Sequence, residues 1–371
     1  MKIGILGGGQ LAQMLVLAGI PLGYRFVALD PNPEAPAARV APLINAEYDD
    51  PDALDRLADQ VDVVTYDFEN VPADVARRLA GHVEVHPPGQ ALAAAQDRLP
   101  EKRLFGGLGI DTAPYRPVDS REDLQNGVAE LGLPALLKTR RLGYDGKGQF
   151  LLRRTDDVGD AWEHLHGQPA ILEGFVEFER EVSLLCVRST RDRVAFYPLV
   201  ENRHRGGILR VSRAPYADAA LQQQAESHGR ALLAELDYVG VLAIEFFLRD
   251  GVLIANEMAP RVHNSGHWTI EGAQTSQFEN HLRAITGLPL GDTATVGASA
   301  MVNCLGGEPA LADLAAIPGA HVHSYGKLPR YGRKVGHVTL TASDPETLEQ
   351  RLPALLERIE DSTDAPGERA G

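Results

Sequence analysis

The chain has 371 residues, 44% of them apolar, and a formal charge of −15 at pH 7. That length is more than one hydrophobic core usually serves, the apolar share argues against extended disorder, and the acidic balance argues against a general nucleic-acid binder. No apolar run reaches membrane-spanning length, MKIGILGGG lacks the basic start of a secretory signal, and only two cysteines, Cys186 and Cys304, are present and far apart in sequence, which argues against a disulfide framework, so a reducing cytoplasm is expected.

The first third alternates short β-rich runs with helical patterns: KIGIL, QLAQMLVLAGIPLG, YRFVALD, PDALDRLADQ and VDVVTYDF, closed by HVEVHPP. Alternation at this spacing predicts βαβ units and a parallel sheet. AAAQDRLPEKRLFGGLG reads as helix, ended by Gly109. From about Tyr115 strands crowd together: PALLKTRR, QFLLRR, PAILEGFV, EVSLLCVRS and VAFYPLVEN, with one acidic helix start at TDDVGDAW. A long helix, ADAALQQQAESHGRALLAELD, precedes two apolar strands, VGVLAIEFFL and VLIANE, whose turn is the RDG of Arg249 to Gly251. The helix SQFENHLRAITG ends at Gly287, and a last segment from about residue 291 holds the strand ASAMVNCLG and the basic stretch HVHSYGKLPRYGRKVGH. The fold class is α/β with α+β elements in the central part. Three domains are expected: 1–100, 101–290 with a lid over about 115–176, and 291–371.

Three places carry chemistry. GILGGGQLA follows the first strand and opens a helix, with Asp30 ending the next strand. This suits a dinucleotide, the phosphate or amine of another ligand, or a tight turn with no ligand. KTRRLGYDGKGQ places Lys138 at a strand end and Gly143, Gly146 and Gly148 around Lys147 in a β-hairpin, where no Walker loop can form. A lid whose backbone N–H groups and lysine meet nucleotide phosphates fits, and so does a plain glycine-rich hairpin. Glu245 lies within an apolar strand and Glu257 ends its partner, with the amide of Asn256 beside it. Across a hairpin the two carboxylates can share one face and hold Mg²⁺, or a buried glutamate can pair with an arginine.

Nearly the whole chain resembles the ATP-grasp ligases and, more narrowly, the N5-carboxyaminoimidazole ribonucleotide synthetases. The matching segments are GGGQL, TYDFENVP, AQDRLPEKR, KTRRLGYDGKGQ, ILEGFVEFEREVS, NRHRGGI, NEMAPRVHNSGHWTIEGAQTSQFENHLRA and YGKLPRYGRKVGH. The block around residue 260 is the most specific, since sister families share the glutamates but not HNSGHWT. Two positions depart from the family pattern, Ala12 where it has Gly and Asp67 where it has Glu, both on the aminoimidazole side.

The resemblance implies a three-domain ATP-grasp architecture with an N-terminal Rossmann-like sheet. It implies ATP- and bicarbonate-dependent carboxylation of 5-aminoimidazole ribonucleotide, through carboxyphosphate or CO₂ released from it. Arg98 and Lys138 would meet nucleotide phosphates under the loop Gly143, Tyr144, Asp145, Gly146, Lys147, Gly148 and Gln149. Glu173, Gly174, Phe175 and Val176 would line the adenine hinge, Glu181 would hold the ribose, His204 would lie near the nucleotide, and Glu245 and Glu257 would carry Mg²⁺ beside Asn256. Bicarbonate would sit on Arg261, His263 and Asn264 with the Ser265–Gly266 turn. Gln10, Leu11, Glu69 and Asp145 would receive the ring and ribose of the substrate, and Lys327, Arg330, Arg333 and Lys334 would supply the positive pocket an acidic chain needs for an anion. A homodimer is implied, functionally coupled to the mutase that consumes the labile product. A formate-using glycinamide ribonucleotide transformylase would lack HNSGHWT. An NAD-dependent oxidoreductase would leave Lys138 and the glutamate pair unexplained, and a non-catalytic nucleotide-binding module would not turn over ATP in response to bicarbonate.

Overall fold

Strands that are buried on both faces read as continuous apolar runs, and KIGIL becomes the central strand of a parallel sheet. In this computed structural model, which describes residues 1–143 and 146–363, β1 (Lys2–Leu6), β2 (Arg25–Asp30), β3 (Leu43–Asn45), β4 (Val63–Tyr66) and β5 (Glu84–Val85) pair in the order β3-β2-β1-β4-β5. The order reverses between β1 and β4, so a crevice opens at their carboxyl ends. Gly7–Gly9 and Asp67 lie there.

The next four strands, β6 (Tyr115–Val118), β7 (Ala135–Thr139), β8 (Gln149–Leu152) and β9 (Ala170–Gly174), form an antiparallel sheet in the order β6-β9-β7-β8. It has its own core of Val118, Leu124, Leu137, Ala161 and Leu172. The helix Arg121–Leu131 that covers it starts at a Ser120 side chain accepting the Asp123 N–H, an N-terminal signature visible in SREDL.

A nine-stranded sheet holds the rest: β10 (Arg180–Arg188), β11 (Val194–Phe196), β12 (Val200–Arg205), β13 (Ile208–Ala214), β14 (Gly240–Arg249), β15 (Val252–Ala259), β16 (Ala298–Gly306), β17 (Ala320–Ser324) and β18 (Arg330–Ala342). Its path is β15-β14-β10-β12-β13-β16-β18-β17, with β11 against β10. The last segment therefore extends the central sheet, through Val211–Ala214 on β13 paired with Ser299–Val302 on β16. The helix Pro345–Thr363 buries Leu348, Leu352 and Leu355 in the core formed with β16 and β18. Trp268 of HNSGHWT lies in the cluster that joins Ile3, Ile5 and Leu15 of the first unit to Leu185, Tyr197 and Phe278 of the central one. No helix among the described residues is long and apolar enough to cross a membrane.

The β14–β15 turn has both central residues at positive φ, Asp250 at 51° and Gly251 at 75°, the geometry that a two-residue hairpin requires. Nothing lies within 4 Å of a Cβ built on Gly251, so adding one costs only backbone conformation. Gly251→Ala is expected to destabilise the protein by about 1 kcal/mol, read as a lower thermal midpoint.

Candidate active site

Counting back from this turn would set Asn256 opposite Glu245. Instead Phe246 pairs with Ala255 and Glu245 with Glu257, which leaves Asn256 as an extra residue in a β-bulge. A bulge re-aims successive side chains: Asn256 Oδ1 lies 3.4 Å from Lys138 Nζ, and Glu257 Oε2 lies 2.9 Å from Arg98 Nη1.

The helix Arg98–Gly107 braces the bulge from behind. Its i, i+3, i+4 spacing puts Arg98, Glu101 and Lys102 on one face. Lys102 Nζ donates to the carbonyls of Asn256 (2.9 Å) and Ala255 (3.4 Å), and Glu101 accepts the Met258 N–H (2.7 Å). Asp97 caps the helix at Leu99 N–H and holds the Arg140 guanidinium with bonds of 2.9 and 2.7 Å. Of this group only Arg98 is among the residues expected from the sequence; Asp97, Glu101 and Lys102 are not. The signal is there: these charges share a helix face with Phe105, which is fully buried.

The charges are mutually dependent. Glu173 receives Lys138 at 2.8 Å and Lys102 at 3.5 Å, all three side chains being buried. Burial alone would raise the Glu173 carboxyl, but the two ammonium groups outweigh it and hold it at about 2. Burial lowers Lys138 below its ordinary range, with the Glu173 charge opposing. At Glu101 the balance goes the other way: burial and the Glu257 charge outweigh Arg98, the Met258 N–H and Lys102 and push it up to about 8. Burial and the facing Glu257 charge likewise raise Glu245, while Arg98 overcomes burial to hold Glu257 low. Two facing carboxylates, of which Glu245 lacks a compensating cation, with an amide oxygen beside them, fit Mg²⁺, which takes one or two carboxylates and completes its shell with phosphates and water.

Lys138 and Gln149 are register partners at the base of the glycine hairpin, and Gly146 and Gly148 take φ of 77° and 69°. A Cβ on Gly148 would stand 2.5 Å from Thr139 Oγ1, so the loop packs where only glycine fits. Gly143 precedes this turn and Lys147 sits between its two glycines, while Tyr144 and Asp145 lie outside the described residues. At the hinge, Glu173 points its carboxylate into the buried lysines; Gly174 and Phe175 donate backbone N–H groups to Pro114 and Pro134, and Val176 is buried. Glu181 meets His204 Nδ1 at 2.8 Å across β10 and β12. Burial would lower His204, but the Glu181 bond and the Glu245 charge raise it.

Beyond β15 the chain turns through Arg261–Gly266. Arg261 pairs with Glu69, and its Nη1 donates to Val262 O at 3.0 Å. His263 Nε2 lies 3.3 Å from Glu245 Oε1, and Nδ1 lies 2.9 Å from Ser265 Oγ. Burial, then the Arg261 and Lys334 charges, push His263 down to about 3, so it is neutral. The turn is anchored from the sheet by a chain of bonds in which Ser212 Oγ donates to Asn202, Asn202 to Ser183 and Ser183 to Ser265, at 2.7, 2.9 and 2.8 Å. Asn264 pairs with Asn303.

The first glycine loop is spoken for. Asp30 accepts the Gly8 N–H (2.7 Å) and the Tyr48 hydroxyl (3.0 Å), and Asp67 accepts the Gly9 and Ala12 N–H groups at 2.5 and 2.9 Å. The donors that would cradle a dinucleotide pyrophosphate are thus taken by the protein's own carboxylates, and Asp30 is not left for a ribose. The two departures from the family pattern, Ala12 and Asp67, are bonded to each other. Near them Lys327 contacts Gln10, and burial, opposed by the Asp67 charge, lowers Lys327 to about 8. Leu11 is buried. Arg333 and Lys334 lie close enough to act on Lys327, whereas Arg330 is exposed at the start of β18. A cavity of about 400 Å³ lined by Met1, Asp62, Glu84, His86 and Arg188 sits at the amino ends of the parallel strands, away from this chemistry.

Family models match residues 1–96 as a ribonucleotide synthetase preATP-grasp domain, 103–278 as an ATP-grasp domain and 299–351 as a phosphoribosylaminoimidazole carboxylase C-terminal domain. The N5-carboxyaminoimidazole ribonucleotide synthase of Pseudomonas aeruginosa is 54% identical over 360 residues, 97% of this chain and 100% of that one. The chain belongs to the N5-carboxyaminoimidazole ribonucleotide synthase family. The crystal structure of the synthetase from Thermus thermophilus superposes with a TM-score of 0.93 at 56% identity, covering 99% of this chain and 100% of that one. The Aspergillus clavatus synthase in complex with ADP and 5-aminoimidazole ribonucleotide has a TM-score of 0.90 at 32% identity, covering 97% and 98%. Membership in this synthase family removes the oxidoreductase and the transformylase as readings.

Glu101 supplies a pH signature. Its carboxyl is raised in the folded chain, so unfolding releases a proton between the ordinary glutamate range and about pH 8, and stability falls as pH rises through that window. Glu101→Gln keeps the acceptor for Met258 N–H and cannot ionise. Without nucleotide or magnesium, the loss of stability from pH 5 to pH 9 is expected to shrink by up to about 4 kcal/mol in the variant. Parallel thermal-midpoint profiles for the two proteins would remove this assignment.

Proposed function

We infer that this chain is an ATP-dependent carbon–nitrogen ligase that carboxylates 5-aminoimidazole ribonucleotide to N5-carboxyaminoimidazole ribonucleotide, a step of purine biosynthesis. The observation that carries the site assignment is one juxtaposition: His263 of the Arg261–Gly266 turn stands 3.3 Å from Glu245, and Glu245 faces Glu257. A small anion on the turn is thereby next to the place where a nucleotide's terminal phosphate would be received.

In this reading Arg98 and Lys138 bind the phosphates, the Gly143–Gln149 loop closes over them, the Glu173–Val176 hinge receives adenine, and Glu181 with His204 holds the ribose. The buried Glu173 carboxylate acts through Lys138, and the adenine contacts come from the hinge backbone. Glu245, Glu257 and Asn256 would hold Mg²⁺, which neutralises phosphate charge when bound. Arg261, His263 and Asn264 hold bicarbonate, whose oxygen attacks the γ-phosphorus; the bond to ADP breaks and carboxyphosphate forms. A neutral His263 can donate to the anion without drawing off its nucleophilic charge. The exocyclic amine of the ribonucleotide then attacks the carboxyl carbon, or CO₂ released from it, and phosphate leaves with the amine proton. Catalysis is positioning and charge neutralisation in a closed site that keeps water from carboxyphosphate. Gln10, Leu11 and Glu69 line the ring and ribose, and Lys327, Arg333 and Lys334, with Arg330 at the rim, bring positive charge to the 5′-phosphate. We further propose a cytoplasmic homodimer, each chain divided near residues 100 and 290, whose product passes to the mutase that consumes it.

Phosphate release measured with and without bicarbonate and the ribonucleotide tests the reaction; turnover indifferent to bicarbonate would overturn it. Arg261→Lys keeps charge but loses the planar fork, and is expected to impair bicarbonate use far more than ATP binding. Equal losses would place Arg261 at the nucleotide. Lys327→Met is expected to raise KM for the ribonucleotide by roughly 10- to 100-fold, the loss of one charge-assisted contact, with KM for ATP nearly unchanged. An analogue lacking the 5′-phosphate should lose much less.

A further inference from the structure

The anion-binding turn is also fastened by the last segment of the chain. Asn303 on β16 and His337 on β18 are register partners, and His323 on β17 is the partner of His337 on its other side. Asn264 Nδ2 donates to Asn303 Oδ1 at 3.1 Å, and Asn303 Nδ2 donates back to Asn264 Oδ1 at 2.7 Å. The other N–H of Asn303 goes to Leu209 O at 2.9 Å, so both of its donors are committed and Asn303 is buried. Asn264 gives only one of its two N–H groups to this pair and keeps the second for a ligand.

A second tie lies beside the first. Gln277 accepts the His263 N–H at 2.9 Å and donates to His263 O at 2.7 Å, and the same Nε2 faces His267 Nδ1 at 3.3 Å. An amide N–H only donates, so Nδ1 of His267 accepts and its ring proton sits on Nε2. The His267 ring packs 4.8 Å from that of His337, which stacks on His323 at 4.4 Å and bonds the Tyr325 hydroxyl at 2.8 Å. His323 in turn meets Glu271 at 2.7 Å. Asn264 and His267 of the HNSGHWT segment thus rest on side chains of β16 and β18, through a reciprocal amide pair and a ring contact, while Gln277 holds His263.

We infer that Asn303, with its register partner His337, is a positioning residue for the anion turn: it fixes how Asn264 presents itself to bicarbonate and takes no part in ATP binding. The inference rests on the assignment of Arg261, His263 and Asn264 to bicarbonate. Without the reciprocal amide pair, Asn264 is free to rotate and the three-residue turn Asn264–Gly266 loses its outer support.

The test uses the full chain and the variant Asn303→Leu, similar in volume and unable to bond Asn264. KM for bicarbonate is expected to rise roughly tenfold or more, with KM for ATP within about twofold. ADP formed per carboxylated product should also rise above the wild-type ratio, because a misplaced anion lets water intercept the activated carboxylate. Equal rises in both KM values, or a fall in kcat with every KM and the product ratio unchanged, would overturn the inference. If Asn303→Leu does not melt cooperatively, the same comparisons on His337→Phe decide, since that variant keeps Asn303 but removes the Tyr325 bond. Wild-type bicarbonate dependence is measured first. Its absence would sink the bicarbonate assignment and this inference with it, whereas a bicarbonate-dependent wild type with unaffected variants would sink this inference alone.

Discussion

The bulge at Asn256 organises the cleft, and buried Lys102 holds its carbonyls from beneath. An ammonium group in that position is tolerable only when paired and hydrogen-bonded. It has Glu173 on one side and the carbonyls of Ala255 and Asn256 on the other. Glu173 is shared with Lys138, and Arg98 completes the set by meeting Glu257. With Glu101 raised to about 8 and so largely neutral, these side chains leave a surplus of positive charge facing the cleft. On a chain of formal charge −15, that local surplus is what lets a polyphosphate approach.

The same constraint links the parts of the molecule. Glu173 belongs to the strand that leads into the hinge, Arg98 and Lys102 to the helix connecting the first unit to the second, and Glu257 to the edge strand of the nine-stranded sheet. A change in any one of these charges therefore reaches the base of the glycine hairpin and the Glu257 carboxylate together. The turn draws its rigidity from elsewhere, from the serine–asparagine chain across β10, β12 and β13 and from the amide pair with β16. Nucleotide binding and anion use thus have separate supports.

Much of this was legible in the sequence. RDG between two apolar runs marked the hairpin, a buried position for Glu245 demanded a partner, and glycines around Lys147 marked a hairpin where a Walker loop could not form. The bulge was not legible, because counting from the turn places Asn256, not Glu257, opposite Glu245. Its carbonyls are held by Lys102, whose partner Glu173 lies far along the chain. The pairing of β13 with β16 is equally non-local, and nothing in ASAMVNCLG says which strand it joins. Asp30 reads as a possible ribose ligand because it ends β2; in the folded chain the N–H of Gly8 has a prior claim on it. Backbone donors must find acceptors before any ligand arrives.

In the proposed reaction the cleft delivers a bicarbonate oxygen to the terminal phosphorus of ATP. The most direct measurement is the isotopic composition of released phosphate when the reaction runs on bicarbonate labelled with ¹⁸O. If the anion held beside Glu245 is the nucleophile, an oxygen from bicarbonate must appear in phosphate at each turnover. Phosphate whose added oxygen comes from water, with none from bicarbonate, would contradict the account.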